Sequence, residues 1–150
     1  MARELIAIAL VIAAGESAAC GRGGDPAGKA SEPRGTPLAS KAFYRVDPGP
    51  PAACARETNC EARLVLTALG AYHVNKDYPF KFVGEPASAP LLDGEGTFAV
   101  DDAKHGTMTV KFRPGAAGTA KLSGTFKLSV CSDDTCEIEA PKIELAIPVS

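Results

Sequence analysis

The sequence predicts an all-β protein built as an antiparallel β-sandwich. Apolar and polar residues alternate with a period of two over residues 107–112 and 121–130, which is the pattern of strands that bury one face. Gly, Pro and Asp clusters separate these segments from other short apolar ones, and no stretch after the N-terminal segment keeps a helical period. Short strands with frequent turn signals favour a sandwich over a helical body.

Five further segments are predicted to be strands. They are residues 63–69, 71–75, 78–83, 97–100 and 143–149. Together with the two alternating segments they fill a span that begins near residue 43, and this span has the size of an immunoglobulin-like sandwich. We therefore expect one immunoglobulin-like β-sandwich domain over residues 43–150.

The composition of the chain excludes several functional classes. Of its 150 residues, 45% are hydrophobic and 23% are charged, and the formal net charge is -2. A near-neutral chain without a cluster of basic residues lacks the positive surface that binds nucleic acid. The long apolar run is confined to the N-terminus, so neither a polytopic membrane protein nor a wholly disordered chain fits the sequence.

Residues 1–19 are predicted to be an export signal. Arg3 precedes an uncharged apolar run at 5–14, and small residues follow it up to Cys20. A short apolar core that ends in small residues is typical of a secretory signal peptide, because a membrane span needs about 20 apolar residues. The alternative is a buried N-terminal helix, which the polar and broken segment that follows does not continue.

The residues around Cys20 resemble a bacterial lipobox, since positions 17–20 read Ser-Ala-Ala-Cys. In that family the Cys becomes the lipidated first residue of the mature protein, which would make Cys20 a lipid anchor. Cleavage by an ordinary signal peptidase near Ala19 is the alternative. Residues 20–42 then comprise the lipidated Cys and a flexible linker rich in Gly, Pro, Ala and Ser. The domain would stand on the periplasmic side of a bacterial membrane or be secreted.

The cysteines of the chain are expected to form disulfides. They are Cys20, Cys54, Cys60, Cys131 and Cys136. If Cys20 is lipidated, four remain, and an oxidising compartment would pair them. Three connectivities are possible, and sequence proximity favours Cys54–Cys60 with Cys131–Cys136. In the chain-entropy account each of these short loops contributes only ~2.2–2.4 kcal/mol, so each bridge is either a local pin or a redox pair. The spacing within each cysteine pair is wider than that of the closely spaced cysteines in common zinc sites, so no metal is expected.

Cys131 and Cys136 are expected at the tip of a hairpin, near solvent, because the four residues between them are turn formers. A four-residue loop would place Cys131 opposite Cys136 and Val130 opposite Glu137. A five-residue loop would pair Val130 with Ile138 and leave Cys136 as a bulge residue. A pinned turn and a redox role both remain open for this pair.

The order of features over residues 64–149 resembles that of a known domain. A Gly–aromatic strand at 68–75 is followed by Tyr-Pro-Phe-Lys-Phe at 78–82, and an amphipathic strand later runs into Cys131, a polar loop, Cys136 and a terminal strand. Residues 64–149 thereby resemble the periplasmic N-terminal domain of the bacterial thiol–disulfide interchange protein, an immunoglobulin-like module. The resemblance implies that Cys131 and Cys136 are a redox pair and that an aromatic cap, here near Thr97 and Phe98, covers it.

Acidic residues are expected to crowd this pair. Asp133 and Asp134 lie between the two cysteines, and Glu137 and Glu139 follow them. Negative charge raises a thiol pKa and disfavours the thiolate, so a strongly activated nucleophile is not expected. The attacking thiolate could instead come from a partner protein.

Other catalytic arrangements find little support. His73 is expected to be structural or at a rim, because it lies among apolar and aromatic residues, and His105 is expected in a turn. The chain carries no nucleophile elbow, zinc-protease motif or P-loop. The pairs Asp101-Asp102 and Asp133-Asp134 are expected to be solvated turns.

Two functional hypotheses follow from the sequence. In the first, the chain is an exported, membrane-tethered lipoprotein whose sandwich is a binding or scaffold module, since nothing in the sequence demands a catalytic residue. In the second, it is a periplasmic thiol–disulfide exchange module of the oxidoreductase type that uses Cys131 and Cys136. A thioredoxin-like or other periplasmic protein would then be its partner, and neither hypothesis calls for a cofactor.

Overall fold

The computed structural model describes residues 35–150, and every regular element in this part of the chain is a β-strand. Ten strands are numbered in chain order: β1 (Ala39–Lys41), β2 (Tyr44–Pro48), β3 (Cys60–Ala68), β4 (His73–Val74), β5 (Lys81–Gly84), β6 (Thr97–Val100), β7 (His105–Phe112), β8 (Gly118–Cys131), β9 (Cys136–Glu139) and β10 (Lys142–Val149). The predicted signal segment, Cys20 and most of the predicted linker lie outside the described residues. The all-β class predicted from the sequence is confirmed for the described part.

The strands form two antiparallel sheets of five strands each. The first sheet has the order β1-β2-β3-β7-β6, with β3 and β7 at its centre. The second is organised around β8, the longest strand at 14 residues. One edge of β8 pairs with β10 and then β9, and the other edge pairs with β5 and then β4.

Both sheets contribute to one cluster of buried hydrophobic side chains. The alternation predicted for the two clearest segments is confirmed, because every second residue of β7 and most such residues of β8 are buried. The largest fully buried side chains come from both sheets: Tyr44, Phe82, Phe112, Phe126, Leu64, Leu66, Met108, Leu122, Leu128, Ile143, Val46 and Val110. Alternate side chains of these strands point into this shared cluster. A period of two in the sequence is therefore sufficient to predict the strands.

The structure differs from the predicted elements mainly at short strands. The segment 71–75 contributes just the two residues of β4, and the segment 78–83 begins pairing only at Lys81. Strand β1 lies inside the segment expected to be linker up to residue 42, so the folded domain begins earlier than predicted. Strand β2 was not predicted as a strand, although its partner β3 was.

Candidate functional site

The hairpin formed by β8 and β9 carries the candidate site at its tip. The turn between them has four residues, and its first residue closes it: the Ser132 amide donates to the Thr135 carbonyl oxygen at 2.7 Å. The Ser132 hydroxyl also accepts hydrogen bonds from the Asp134 and Thr135 amides. Side chains that bond their own turn favour this tight connection, which brings the ends of the two strands together.

Cys131 and Cys136 lie directly opposite each other across this hairpin and are joined by a disulfide. Their sulfur atoms are 2.01 Å apart and their Cα atoms 3.9 Å apart. Of the two registers considered from the sequence, the structure adopts the four-residue loop, with Val130 opposite Glu137. The alternative with Cys136 as a bulge residue is therefore not adopted.

The two sulfur-bearing residues differ strongly in their exposure to solvent. Cys131 is 7% exposed, whereas Cys136 is exposed. The difference follows from their strands, because β8 is flanked at Cys131 by β4 on one side and β9 on the other. Within the described chain β9 pairs with β8 alone, which leaves Cys136 at a sheet edge. An attacking group from solvent therefore reaches the Cys136 side of the bridge more readily.

The sheet pairing places His73 in the same row as the disulfide. His73 on β4 is the direct partner of Cys131, and Cys131 is the direct partner of Cys136. Side chains of directly opposed residues project from the same face of an antiparallel sheet, with Cβ atoms about 4.5–5.5 Å apart. His73, Cys131 and Cys136 thus form a row across three strands, and His73 is exposed. The sequence-based expectation of a structural or rim role did not anticipate this neighbour.

Two more residues belong to the same face beside the disulfide. Ile138 is two residues after Cys136, and it is 67% exposed, the highest exposure among the large hydrophobic side chains of residues 35–150. Its partner Ser129 is fully buried, and the Asn75 side-chain amide donates to the Ser129 hydroxyl at 3.3 Å. The face around the exposed Cys136 therefore combines a hydroxyl hydrogen-bonded by Asn75, an exposed apolar side chain and an imidazole.

The expectation that Glu137 and Glu139 crowd the cysteine pair is wrong. Successive residues of a strand face opposite sides, so both carboxylates lie on the face of β9 away from Cys136. Glu139 instead pairs with the Lys41 ammonium at 2.6 Å. This hydrogen bond is the main cause that raises the pKa of Lys41, with the charges of Glu139 and Glu137 adding to it. Asp133 and Asp134 remain in the exposed turn next to the pair.

The second disulfide, Cys54–Cys60, has a different setting. Its sulfur atoms are 2.04 Å apart, and both residues are buried, at 8% and 2% exposure. Cys60 begins β3 opposite Phe112, and the Cys54 carbonyl oxygen accepts a hydrogen bond from the Ser150 amide at 3.0 Å. This bridge ties the segment before β3 to the start of β3, as a local pin would, and the hydrogen bond links the same segment to Ser150 after β10.

The other side chains considered from the sequence lie elsewhere. The Phe98 ring stacks on Phe80 with centroids 3.8 Å apart and lies 6.1 Å from the Phe126 ring, so its role as a cap over the cysteines stays a prediction. His105 was expected in a turn but is the first residue of β7, paired with Thr67, and its ring nitrogen Nδ1 lies 2.9 Å from Asp102 Oδ1 in the preceding turn. No group of three or more His, Cys, Asp and Glu side chains suited to a metal ion occurs between residues 35 and 150. The same residues contain no helix with the length and apolar character needed to cross a bilayer.

Comparisons with known proteins give no family for this chain. No family model, curated protein or solved structure matches it. The geometry of the hairpin tip and the residues around it are therefore the basis on which a function is proposed.

Proposed function

We propose that the chain is an exported, membrane-tethered lipoprotein whose β-domain exchanges the Cys131–Cys136 disulfide with a partner dithiol protein. The observation that carries this proposal is the asymmetry of the pair: an exposed Cys136 at a sheet edge is bonded to a buried Cys131 on the central strand. Exchange needs a sulfur that a partner can reach, and its rate depends on which sulfur is attacked. The two sheets and their shared core support an immunoglobulin-like sandwich as the scaffold.

The exchange proceeds in two balanced steps. A thiolate of the partner attacks the Cys136 sulfur, which forms a mixed disulfide and releases Cys131 as a thiolate that takes up a proton. The second thiol of the partner, as its thiolate, then attacks the mixed disulfide and releases Cys136 as a thiol. The partner loses two electrons and gains a disulfide, while this chain gains two electrons and two thiols. The reverse sequence would return the bridge to its oxidised state.

Export is supported by the leader-like residues 1–19 and by the presence of two disulfides. Disulfides form and persist in oxidising compartments and are rare in the cytosol. The resemblance of residues 64–149 to the periplasmic domain of the thiol–disulfide interchange protein suggests the chemical class of the partner, a thioredoxin-like protein.

The test is selective reduction by a thioredoxin-like dithiol protein. The oxidised protein is mixed with the reduced partner, samples are trapped by alkylation, and peptide masses score each bridge. We expect Cys131–Cys136 to be reduced at least about tenfold faster than Cys54–Cys60, because Cys136 is exposed whereas Cys54 and Cys60 are both buried. A double Cys131→Ser/Cys136→Ser variant should keep its fold and lose exchange.

The matched control is Cys54→Ser/Cys60→Ser, which should retain exchange at the hairpin while losing ~2.3 kcal/mol of stability. A reduction potential of Cys131–Cys136 well below about -300 mV, together with no exchange, would overturn the proposal. That result would identify the bridge as structural and leave the domain as a binding or scaffold module, the other hypothesis from the sequence.

A further inference from the structure

We propose that His73 supplies the proton to the Cys131 sulfur when the disulfide opens, and takes it back when the disulfide closes. This inference rests on the proposed exchange function. It assigns a role in the reaction to a residue that reaches the site through sheet pairing alone. His73 and Cys131 are far apart in sequence, and they become neighbours because β4 pairs with the last two residues of β8.

The need for a proton donor follows from the burial of the leaving sulfur. Attack at the exposed Cys136 makes Cys131 the leaving group, and Cys131 is 7% exposed. Burial disfavours a charged thiolate, because little water is available to solvate it. A leaving thiolate of higher proton affinity departs more slowly unless a donor neutralises it. The buried sulfur is thus the atom at which a proton matters most.

His73 is placed to be that donor. It is the direct β4 partner of Cys131, which puts both side chains on one face, and it is exposed, so it can exchange protons with water. An imidazole can donate from one nitrogen and accept at the other, as proton transfer in both directions requires. The disulfide occupies the side of Cys131 toward β9, and His73 occupies the side toward β4.

Asp133 and Asp134 remain in the exposed turn next to the cysteine pair, whereas Lys104 and His105 are engaged elsewhere. The Lys104 ammonium donates to the carbonyl oxygens of Gly70 and Tyr72 in the segment that leads into β4. His105, the other imidazole of the chain, is hydrogen-bonded to Asp102 in the turn before β7. Glu137 and Glu139 face the opposite side of β9, as described above. Among these groups, His73 is the one that the sheet register places directly beside Cys131.

Every bond, electron pair and proton in this step is accounted for. The partner thiolate forms a bond to Cys136, the Cys136–Cys131 bond breaks, and the electron pair stays on the Cys131 sulfur. The proton moves from the His73 imidazolium to that sulfur, and the neutral imidazole is reprotonated from water. In the oxidative direction the same imidazole removes the proton from the Cys131 thiol.

The experiment compares His73→Ala and His73→Gln with the control His105→Ala, which removes an imidazole from the other sheet. Reduction of Cys131–Cys136 is followed with the probe dithiothreitol and with the thioredoxin-like protein, by alkylation and mass. We expect both His73 variants to react roughly tenfold or more slowly, because general acid–base catalysis is lost. Added imidazole should restore the rate of His73→Ala, and His105→Ala should react like the wild type.

The outcomes separate this inference from the proposed function. If the wild type exchanges and the His73 variants match its rate, the proton-donor role is wrong while the exchange function stands. A slow His73→Ala variant that imidazole does not restore also overturns the role, because a purely structural defect cannot be rescued by a free base. If the wild-type bridge does not exchange with either reductant, the proposed function and this inference fail together.

Discussion

Gly124 shows how one residue permits the central strand of the second sheet to be paired on both edges. It lies in β8 opposite Gly84 on β5 and Ile143 on β10. A Cβ atom at this position would lie 2.5 Å from the Val83 carbonyl oxygen and 2.7 Å from the Phe82 ring. Glycine within a strand marks such a close approach of another backbone, so a side chain here would have to push β5 away.

We predict that Gly124→Ala lowers the free energy of unfolding by about 1–3 kcal/mol, the usual cost of overpacking a core. Urea unfolding followed by circular dichroism measures the change. Gly115→Ala is the matched control, because a Cβ at Gly115 would meet no atom within 4 Å. Equal stability of the two variants would show that β5 can move away from β8 at little cost.

At the scale of an element, the turn between β6 and β7 is held by one carboxylate. Asp102 Oδ1 accepts hydrogen bonds from the Lys104 amide at 2.6 Å and the His105 amide at 2.8 Å. It also lies 2.9 Å from the His105 ring nitrogen Nδ1. The bond to the His105 side chain, followed by that from the Lys104 backbone, lowers the pKa of Asp102. The charged form of Asp102 is therefore the one that holds this turn.

The lowered pKa of Asp102 gives the turn an acid-sensitive contribution to stability. A group with a depressed folded-state pKa stabilises the protein above its unfolded value, about 3.9 for Asp, and the contribution is lost as the pH falls through the folded value. We predict that Asp102→Asn is less stable than the wild type at neutral pH and that the difference shrinks as the pH falls below about 3.9, the unfolded-state pKa of Asp. Urea unfolding across this range is the measurement.

Asp133→Asn, in the exposed turn between β8 and β9, serves as the control for this experiment. Its stability relative to the wild type should change less than that of Asp102→Asn over the same pH range. A constant difference between Asp102→Asn and the wild type at all pH values would contradict the prediction, since it would mean that the carboxylate charge plays no part in holding the turn.

At the scale of the whole molecule, the exchange proposal requires that the chain leave the cytosol. The described residues form a folded body with the Cys131–Cys136 disulfide at one sheet edge, and the residues that would direct its export precede it in the sequence. We predict that a bacterium producing the full chain yields a mature protein that begins at lipid-modified Cys20. Lipid chains add membrane affinity of about 0.8 kcal/mol per buried methylene, so this form should fractionate with membranes.

Intact mass of the purified mature protein, with and without alkylation, measures this outcome. Cys20→Ser should remove the lipid mass and release the protein from the membrane fraction, while both disulfides remain. A mature protein that begins near residue 20 without lipid would support ordinary cleavage instead. A protein that retains residues 1–19 would contradict export through this leader.

The strands with regular alternation were predictable from the sequence, while those that depend on distant partners were not. Strands β7 and β8 follow the pattern because each buries one face in the common core. Strand β9 has the opposite pattern: its charged Glu137 lies opposite buried Val130, and its apolar Ile138 faces solvent. The hairpin can hold this register because the disulfide and the Ser132 turn set it locally, and Lys41 balances Glu139 on the inward side.

The sequence by itself determined the all-β class and the main strands, and it favoured the local pairing of the four described cysteines. Each of these depends on residues that are close together along the chain. The tertiary structure alone decided that Cys131 is buried, that Cys136 is exposed and that His73 stands beside them. These three facts depend on which distant strand lies next to β8 and in what register, and no periodicity within a single segment encodes that choice.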